Sequence, residues 1–343
     1  MPDHTENRND VAAPFQFDDW NAAQEYYFAN GLTDGLPIVP PTAERVQAML
    51  DYAGVSAEHD LGTEVIRQKR FAAGKAAVNA VMAGCLPEHF PVVLASLSAI
   101  ADRSFNLHAS STSTNGVTVL TVVSGPYADA IGMNAGVEMM GNGNRANAAI
   151  GRAVNLFKAN FYGSVPVVMD NSTFGHPGKI TFCFPENLAV SPWPSLASEL
   201  GYGDDATIVA AYATLGPLQV TLHGDRNPSD FLTTVAHAML AFGPGMPEVV
   251  CVISPETMGH VAEAGWSRRQ VAEFLHEKAQ LPVAEWMRWH RMGHELDHDR
   301  LVPVVADADR ITVLPGGGMA GGFISLISTW GSSRSVVRRV DVP

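Results

Sequence analysis

One cysteine stands where the local backbone could change its chemistry. In Ala83-Gly84-Cys85-Leu86-Pro87-Glu88-His89, a helix is expected to end at Gly84, and Pro87 is placed to open the next helix at its first turn. Cys85 would then occupy the elbow, beside the positive end of the second helix. That position lowers a thiol pKa and favours thiolate, the nucleophilic and redox-active form. His89 follows one helical turn later as a base. The plain alternative is a small buried cysteine filling a tight corner.

Four further groupings have chemical content. Gly141-Asn142-Gly143-Asn144-Arg145-Ala146-Asn147 leads into a helix. Its glycines let the backbone approach a ligand, and Asn144, Arg145 and Asn147 are candidates to hold an anion there. Arg145 at a helix start opposes the helix dipole, which asks for a compensating anion. The spacing matches neither the dinucleotide fingerprint nor the P-loop. Gly175-His176-Pro177-Gly178-Lys179 is a rigid turn entering a short strand at 180–184, with Glu186 and Asn187 just beyond. His176 would move protons and Lys179 would stabilise negative charge, against the alternative of an ordinary surface turn. His290, His294 and His298 recur every four residues in a stretch expected to continue as helix over 281–300. On a helix that spacing shares a face and suits a divalent metal, the alternative being a solvated charged face. His108 precedes the hydroxyl run Ser110 to Thr114 and is a candidate for a polar substrate.

These residues need a scaffold, and the chain supplies an α/β one. Short β-branched runs at 116–123, 247–253 and 310–314 each end in Ser, Gly or Pro. The first two lead into helix-like stretches, the strand–turn–helix rhythm of a mixed or parallel sheet flanked by helices. The stretches 124–135 and 254–266 are alike enough to hint at an internal repeat. Helices are expected over 18–29, from Thr42 to Tyr52, and over 72–84, 87–102, 228–242 and 267–279. The organisation expected is a disordered tail at 1–16, a mainly helical region at 17–115, and an α/β region at 116–343, packed as one unit.

Bulk properties narrow the function classes. At 343 residues and 46% hydrophobic content, the chain needs no disulfide staples. Its 22 Lys and Arg against 35 Asp and Glu give a net charge of −13, which disfavours nucleic acid and anionic lipid as partners. Three cysteines, scattered and odd in number, suit a reducing cytoplasm. No apolar leader or membrane span is expected.

In combination the motifs resemble a bacterial family sharing Thr-Asp-Gly-Leu-Pro-x-Val-Pro-Pro-Thr (Thr33 to Thr42) and Asn-Ala-Val-Met-Ala-Gly-Cys (Asn79 to Cys85). Arg-Ala-Asn-Ala with Ile-Gly-Arg-Ala (Arg145 to Ala153) and the stretch Gly175 to Trp193 complete the match. Members are similar in context to proteins named for a (seleno)Cys-Gly-Ser-Cys motif, themselves likened to component B of glycine and proline reductases. The resemblance implies thiol or selenol reductive chemistry within a complex. This chain departs from it in having no Cys-Gly-Ser-Cys and no cysteines paired in sequence.

The resulting expectation is a cytoplasmic enzyme, an oxidoreductase or lyase, acting on a small carboxylate-bearing molecule where the Cys85 elbow, the 141–147 loop and the 175–187 turn converge. Cys85, His89, His176 and Lys179 would be catalytic. Asn144, Arg145, Asn147, Glu186, Asn187 and His108 would bind substrate. A homo-oligomer or a complex with a related subunit is expected. The rival readings are a metal-dependent lyase or hydrolase at His290, His294 and His298, and a non-catalytic partner subunit.

Overall fold

A computed structural model describes residues 16–222, 224 and 226–342. The tail expected over 1–16 falls outside them except for Gln16. The architecture is α/β with mixed sheets, and it follows from strands that are apolar on both faces and so need cover on both. β3 (Thr118–Ser124), β5 (Ile208–Thr214) and β7 (Val249–Ile253) are buried at every position. Alternate side chains go opposite ways. Val119, Val123, Val209 and Ala211 join helical side chains in one core, while Leu120, Val122, Ile208 and Ala210 join another. Val250 and Val252 of β7 enter that same second core, and Val249, Cys251 and Ile253 face a third. The layers are therefore helices, sheet, sheet, helices, with a shared core between the sheets. Across it, the hydroxyls of Tyr212 and Thr312 hydrogen-bond at 3.0 Å.

Both four-stranded sheets have the same design. The first runs β12-β5-β3-β4, where β4 is Cys183–Pro185 and β12 is Val336–Arg339. The second runs β6-β11-β7-β10, where β6 is Leu218–Thr221, β10 is Ile311–Pro315 and β11 is Phe323–Ser328. In each, a central strand (β3 or β7) pairs parallel with one neighbour (β4 or β10) and antiparallel with the other (β5 or β11). The repeat hinted at by 124–135 and 254–266 marks equivalent strand–turn–helix corners, after β3 and after β7. The edge strands are exchanged. β6 follows β5 in the chain yet completes the sheet of β11, and β12 follows β11 yet completes the sheet of β5. Where the crossings meet, Leu215 N donates to Ser328 O and Trp330 N to Ala213 O.

Helices α1 (Trp20–Ala29), α2 (Ala43–Ala53), α3 (Ala73–Ala83), α4 (Phe90–Ala101) and α5 (Leu107–Thr112) precede the first sheet, interrupted by the hairpin β1 (Asp60–Glu64) and β2 (Lys69–Ala72). Thr42 caps α2 by accepting from Arg45 N, and Gly84 ends α3 at a φ of 90°. After β3 come α6 (Tyr127–Ala130) and α7 (Arg145–Phe157). α7 lies so close to the segment entering β4 that a Cβ on Gly151 would sit 2.8 Å from Phe182 N. α8 (Leu196–Glu199) borders the middle core, and α9 (Pro228–Met239), α10 (Pro255–Glu263) and α11 (Arg268–Lys278) cover the second sheet.

Two sequence expectations change here. The helix over 281–300 does not form. β8 (Gln280–Pro282) leads to α12 (Val283–Arg288), His290 adopts a left-handed φ of 56°, and β9 (Leu301–Pro303) returns against β8. Arg291 is drawn to the carbonyls of Ala241 and Phe242, which turns the chain away from the helix axis. The strand at 180–184 is shifted and shortened to β4, because Thr181 spends its hydroxyl on Ala148 O of α7 at 2.8 Å. Among the described residues no helix is long and apolar enough to cross a membrane.

Candidate functional site

α7 separates the residues that the sequence reading brought together. Its 13 residues at 1.5 Å each put Arg145 and Lys158 roughly 20 Å apart. Cys85, His89, Asn144, Arg145 and Asn147 gather at its N-terminal end, whereas Lys179 and His176 lie at its C-terminal end, where Asn155 Nδ2 donates to Gly178 O.

At the N-terminal end the polar groups are engaged by neighbouring backbone. Arg145 Nε donates to Gly84 O at 2.9 Å, so its charge answers the orphan carbonyls at the C-terminus of α3. The anion that its position demanded is the negative end of a neighbouring helix. Cys85 is 6% exposed. Burial pushes its thiol up to about 12, Arg145 offsetting only part of this. The thiolate expected at this elbow is therefore corrected to a protonated thiol: the desolvation cost outweighs the helix-end field. Burial likewise raises Cys183, and raises Cys251 to about 12. His89 Nδ1 accepts from Leu86 N at 3.2 Å, and burial lowers its pKa. Asn144 caps α7 by accepting from Asn147 N. The buried Asn147 pins the 132–144 loop through Asn134 N, Asn134 O and Met139 O.

Glu186 and Asn187 are also committed. The Glu186 carboxylate accepts from Ser124 Oγ at 2.5 Å and Leu196 N at 2.9 Å, and pairs with Arg268 at 2.8 Å. Arg268 reaches Val313 O as well, tying the first sheet to the second. Asn187 N donates to Pro315 O. His290, His294 and His298 are exposed in the turn after α12. Among the described residues, no group of three or more His, Cys, Asp or Glu is arranged to hold a metal ion.

The C-terminal end of α7 is different. The helix passes into a single π-wound turn, Lys158–Tyr162, closed by Gly163 at a φ of 88°; such turns recur at functional sites. Lys158 is 7% exposed, and its amine has neither a hydrogen bond nor an ion pair among the described residues. Burial, then the charge of Lys179, lower its pKa to about 8, with Asp170 acting the other way. Backbone bonds hold these groups in one place. Ser164 N donates to Lys158 O, and Met169 N and Asp170 N donate to Val165 O. Asp170 then takes Lys179 Nζ at 2.5 Å. Lys179 Nζ also reaches Ser172 Oγ (2.8 Å) and Val117 O (3.2 Å).

Three segments meet here: 107–117, 158–164 and 170–179. The first contributes His108, whose Nδ1 lies 3.5 Å from Tyr162 OH. It meets the third through Thr173 N to Thr114 O and Ser172 Oγ to Asn115 O. His176 Nδ1 accepts from Gly178 N, while its Nε2 is enclosed without a partner. Burial, then Lys179, lower the His176 pKa. Ser111 Oγ and Ser164 Oγ are enclosed and unpartnered too. A separate cleft of about 510 Å³ is lined by Glu64, Asp102, Asn106 and Arg334 and does not include Lys158 or Lys179.

Of the residues gathered here, His108, His176 and Lys179 are candidates in the sequence reading; Lys158 and Asp170 are not. Lys158 had a signal, since Ile150, Val154 and Lys158 follow a four-residue spacing on the apolar stripe of α7. A lysine on a core-facing stripe is an anomaly worth reading. No family model matches the chain, and no curated protein matches it in sequence.

Proposed function

We propose that the protein is an enzyme for a small carboxylate-bearing molecule and that its working group is Lys158. The observation that carries this is the Lys158 side chain, 7% exposed, which has no counter-ion among the described residues and feels the charge of a second amine, Lys179, that is neutralised by Asp170. A protein does not keep an unpaired buried amine for stability, because desolvating it costs free energy. Pocket charge sums to one excess positive charge when Lys158 is protonated, which favours a monoanion. With its pKa lowered to about 8, the amine exists partly as free base near neutrality, suited to act as base or nucleophile. His176 and His108 are placed to move protons.

Binding is tested by thermal melting with small mono- and dicarboxylates. Carboxylates should raise the melting temperature of the native protein and leave Lys158→Met unmoved; equal shifts in both would sink the reading. Cysteine-centred chemistry, as the family resemblance implies, would need the elbow to open and uncover Cys85. Self-association of two copies is proposed at the wall beside the pocket, where Val167 is 90% and Phe174 97% exposed.

A further inference from the structure

The separate cleft of about 510 Å³ has the size of a small-molecule site, and backbone contacts fix its walls. Glu64, at the end of β1, accepts from Ile66 N at 3.1 Å and Arg67 N at 2.8 Å, shaping the turn that carries Val65 and Ile66. The corner after α4 supplies Asp102, Arg103 and Asn106, and the 332–334 turn supplies Ser332 and Arg334. Three bonds tie these two segments together: Arg334 N to Ser104 O at 2.9 Å, Ser333 Oγ to Phe105 O at 2.6 Å and Asn106 Nδ2 to Ser332 O at 3.1 Å. Walls held in this way leave little ordering to be done when a ligand arrives.

The carboxylates of the cleft are committed and its guanidiniums are not. Glu64 is buried and serves its own turn. Asp102 accepts from Ser104 N at 2.8 Å and from Arg338 at 2.6 Å. Arg334 gives one nitrogen to Pro247 O at 3.0 Å. Its other guanidinium N–H groups, and all of those on Arg103, have no partner among the described residues. With Arg338 counted beside the carboxylate it neutralises, the cleft carries one excess positive charge in a chain whose net charge is −13. Val65, 41% exposed, and Ile66, 62% exposed, add an apolar wall. A guanidinium fork matches the paired oxygens of a carboxylate or phosphate, and aliphatic surface in the open matches an apolar body. We propose that this cleft binds a small organic oxyanion, a carboxylate or phosphate ester with an apolar body, its oxygens held by Arg103 and Arg334 and its body against Val65 and Ile66. The site stands apart from Lys158, which does not line it.

Calorimetric titration of the full chain tests this, with benzoate, phenylacetate, phenyl phosphate, acetate and inorganic phosphate as probes. One saturable site per chain is expected for the aryl anions, weakened by added salt. Acetate and inorganic phosphate, which lack the apolar body, should bind roughly tenfold more weakly. The tighter of phenylacetate and phenyl phosphate assigns the head group within the proposal. Arg103→Gln should keep the native melting temperature, since that side chain has no partner to lose, and weaken the aryl anions about tenfold. Ile66→Ala should weaken the aryl anions and leave acetate unchanged. Lys158→Met should bind them as the native chain does. No saturable binding of any probe, or equal affinities in the native chain, Arg103→Gln and Ile66→Ala, overturns the proposal. Binding that is lost in Lys158→Met and kept in Arg103→Gln overturns it too, and supports the Lys158 reading in its place.

Discussion

Lys158 and Cys85 show how burial decides what a reactive side chain does. Both are nearly enclosed, and desolvation disfavours the charged form of each. For the thiol this favours the protonated form; for the amine it favours the neutral one. The consequence for Lys158 can be worked through in sign. Its folded pKa, about 8, lies below the unfolded lysine value, so the unfolded chain binds more protons between those limits. Stability then rises with pH across that window, and the full penalty, about 3 kcal/mol, applies below it. Lys158→Met should therefore stabilise the protein by up to about that amount at pH 7, the gain shrinking as pH rises toward 10. Paired urea melts from pH 7 to 10 measure it, and a constant difference would contradict the assignment. The charged groups that act on Lys158, Lys179 and Asp170, stay in place in both proteins. For Cys85, brief alkylation at neutral pH should label it no faster than Cys183 or Cys251, all three being buried; rapid selective labelling would restore thiol chemistry.

Elements set which residues meet. α7 acts as a spacer, carrying Arg145 to the end of α3 and Lys158 to the pocket. Gly151 lets the strand-entry segment lie directly on it. Arg152, on the same helix, binds the Asp34 carboxylate through two nitrogens at 2.7 and 2.8 Å and the carbonyls of Leu36 and Pro37. Although burial works to raise its pKa, those bonds hold Asp34 below the usual carboxylate range. The Thr33-to-Thr42 and Ile150-to-Ala153 segments are thus two halves of one clamp, legible in the sequence one by one but not as partners. Glu186 likewise joins two elements. Glu186→Gln would leave Arg268 buried with only the partly exposed Glu199 at 2.9 Å, and should cost about 3 kcal/mol or more. A near-neutral change in a urea melt would return Glu186 to the list of free, ligand-binding groups.

At the scale of the whole molecule, two half-units of the same sheet design lock by exchanging edge strands. The exchange closes the middle core between the sheets. Val167, Val168 and Phe174 are among the large apolar side chains left in the open, the last almost fully exposed. A patch of this kind marks an interaction surface. Light scattering should therefore report a dimer, which Phe174→Glu weakens, and a monomer at every concentration would refute it. Local chain chemistry was enough to read the α/β class, α2 with its Thr42 cap, the glycine stop of α3 and the three β-branched strands, because each depends on neighbours a few residues away. The same local logic placed a helix through His290, His294 and His298, where a distant carbonyl pair on Ala241 and Phe242 captures Arg291 instead. Pairing of two sheets, exchange of their edges, the separation of Arg145 from Lys179 and the isolation of the Lys158 amine all depend on contacts between residues far apart in the chain. Burial and charge partners are properties of the packed interior. They place a cysteine that looked reactive inside the core, and bury an unremarked lysine at the end of α7 with no counter-ion among the described residues.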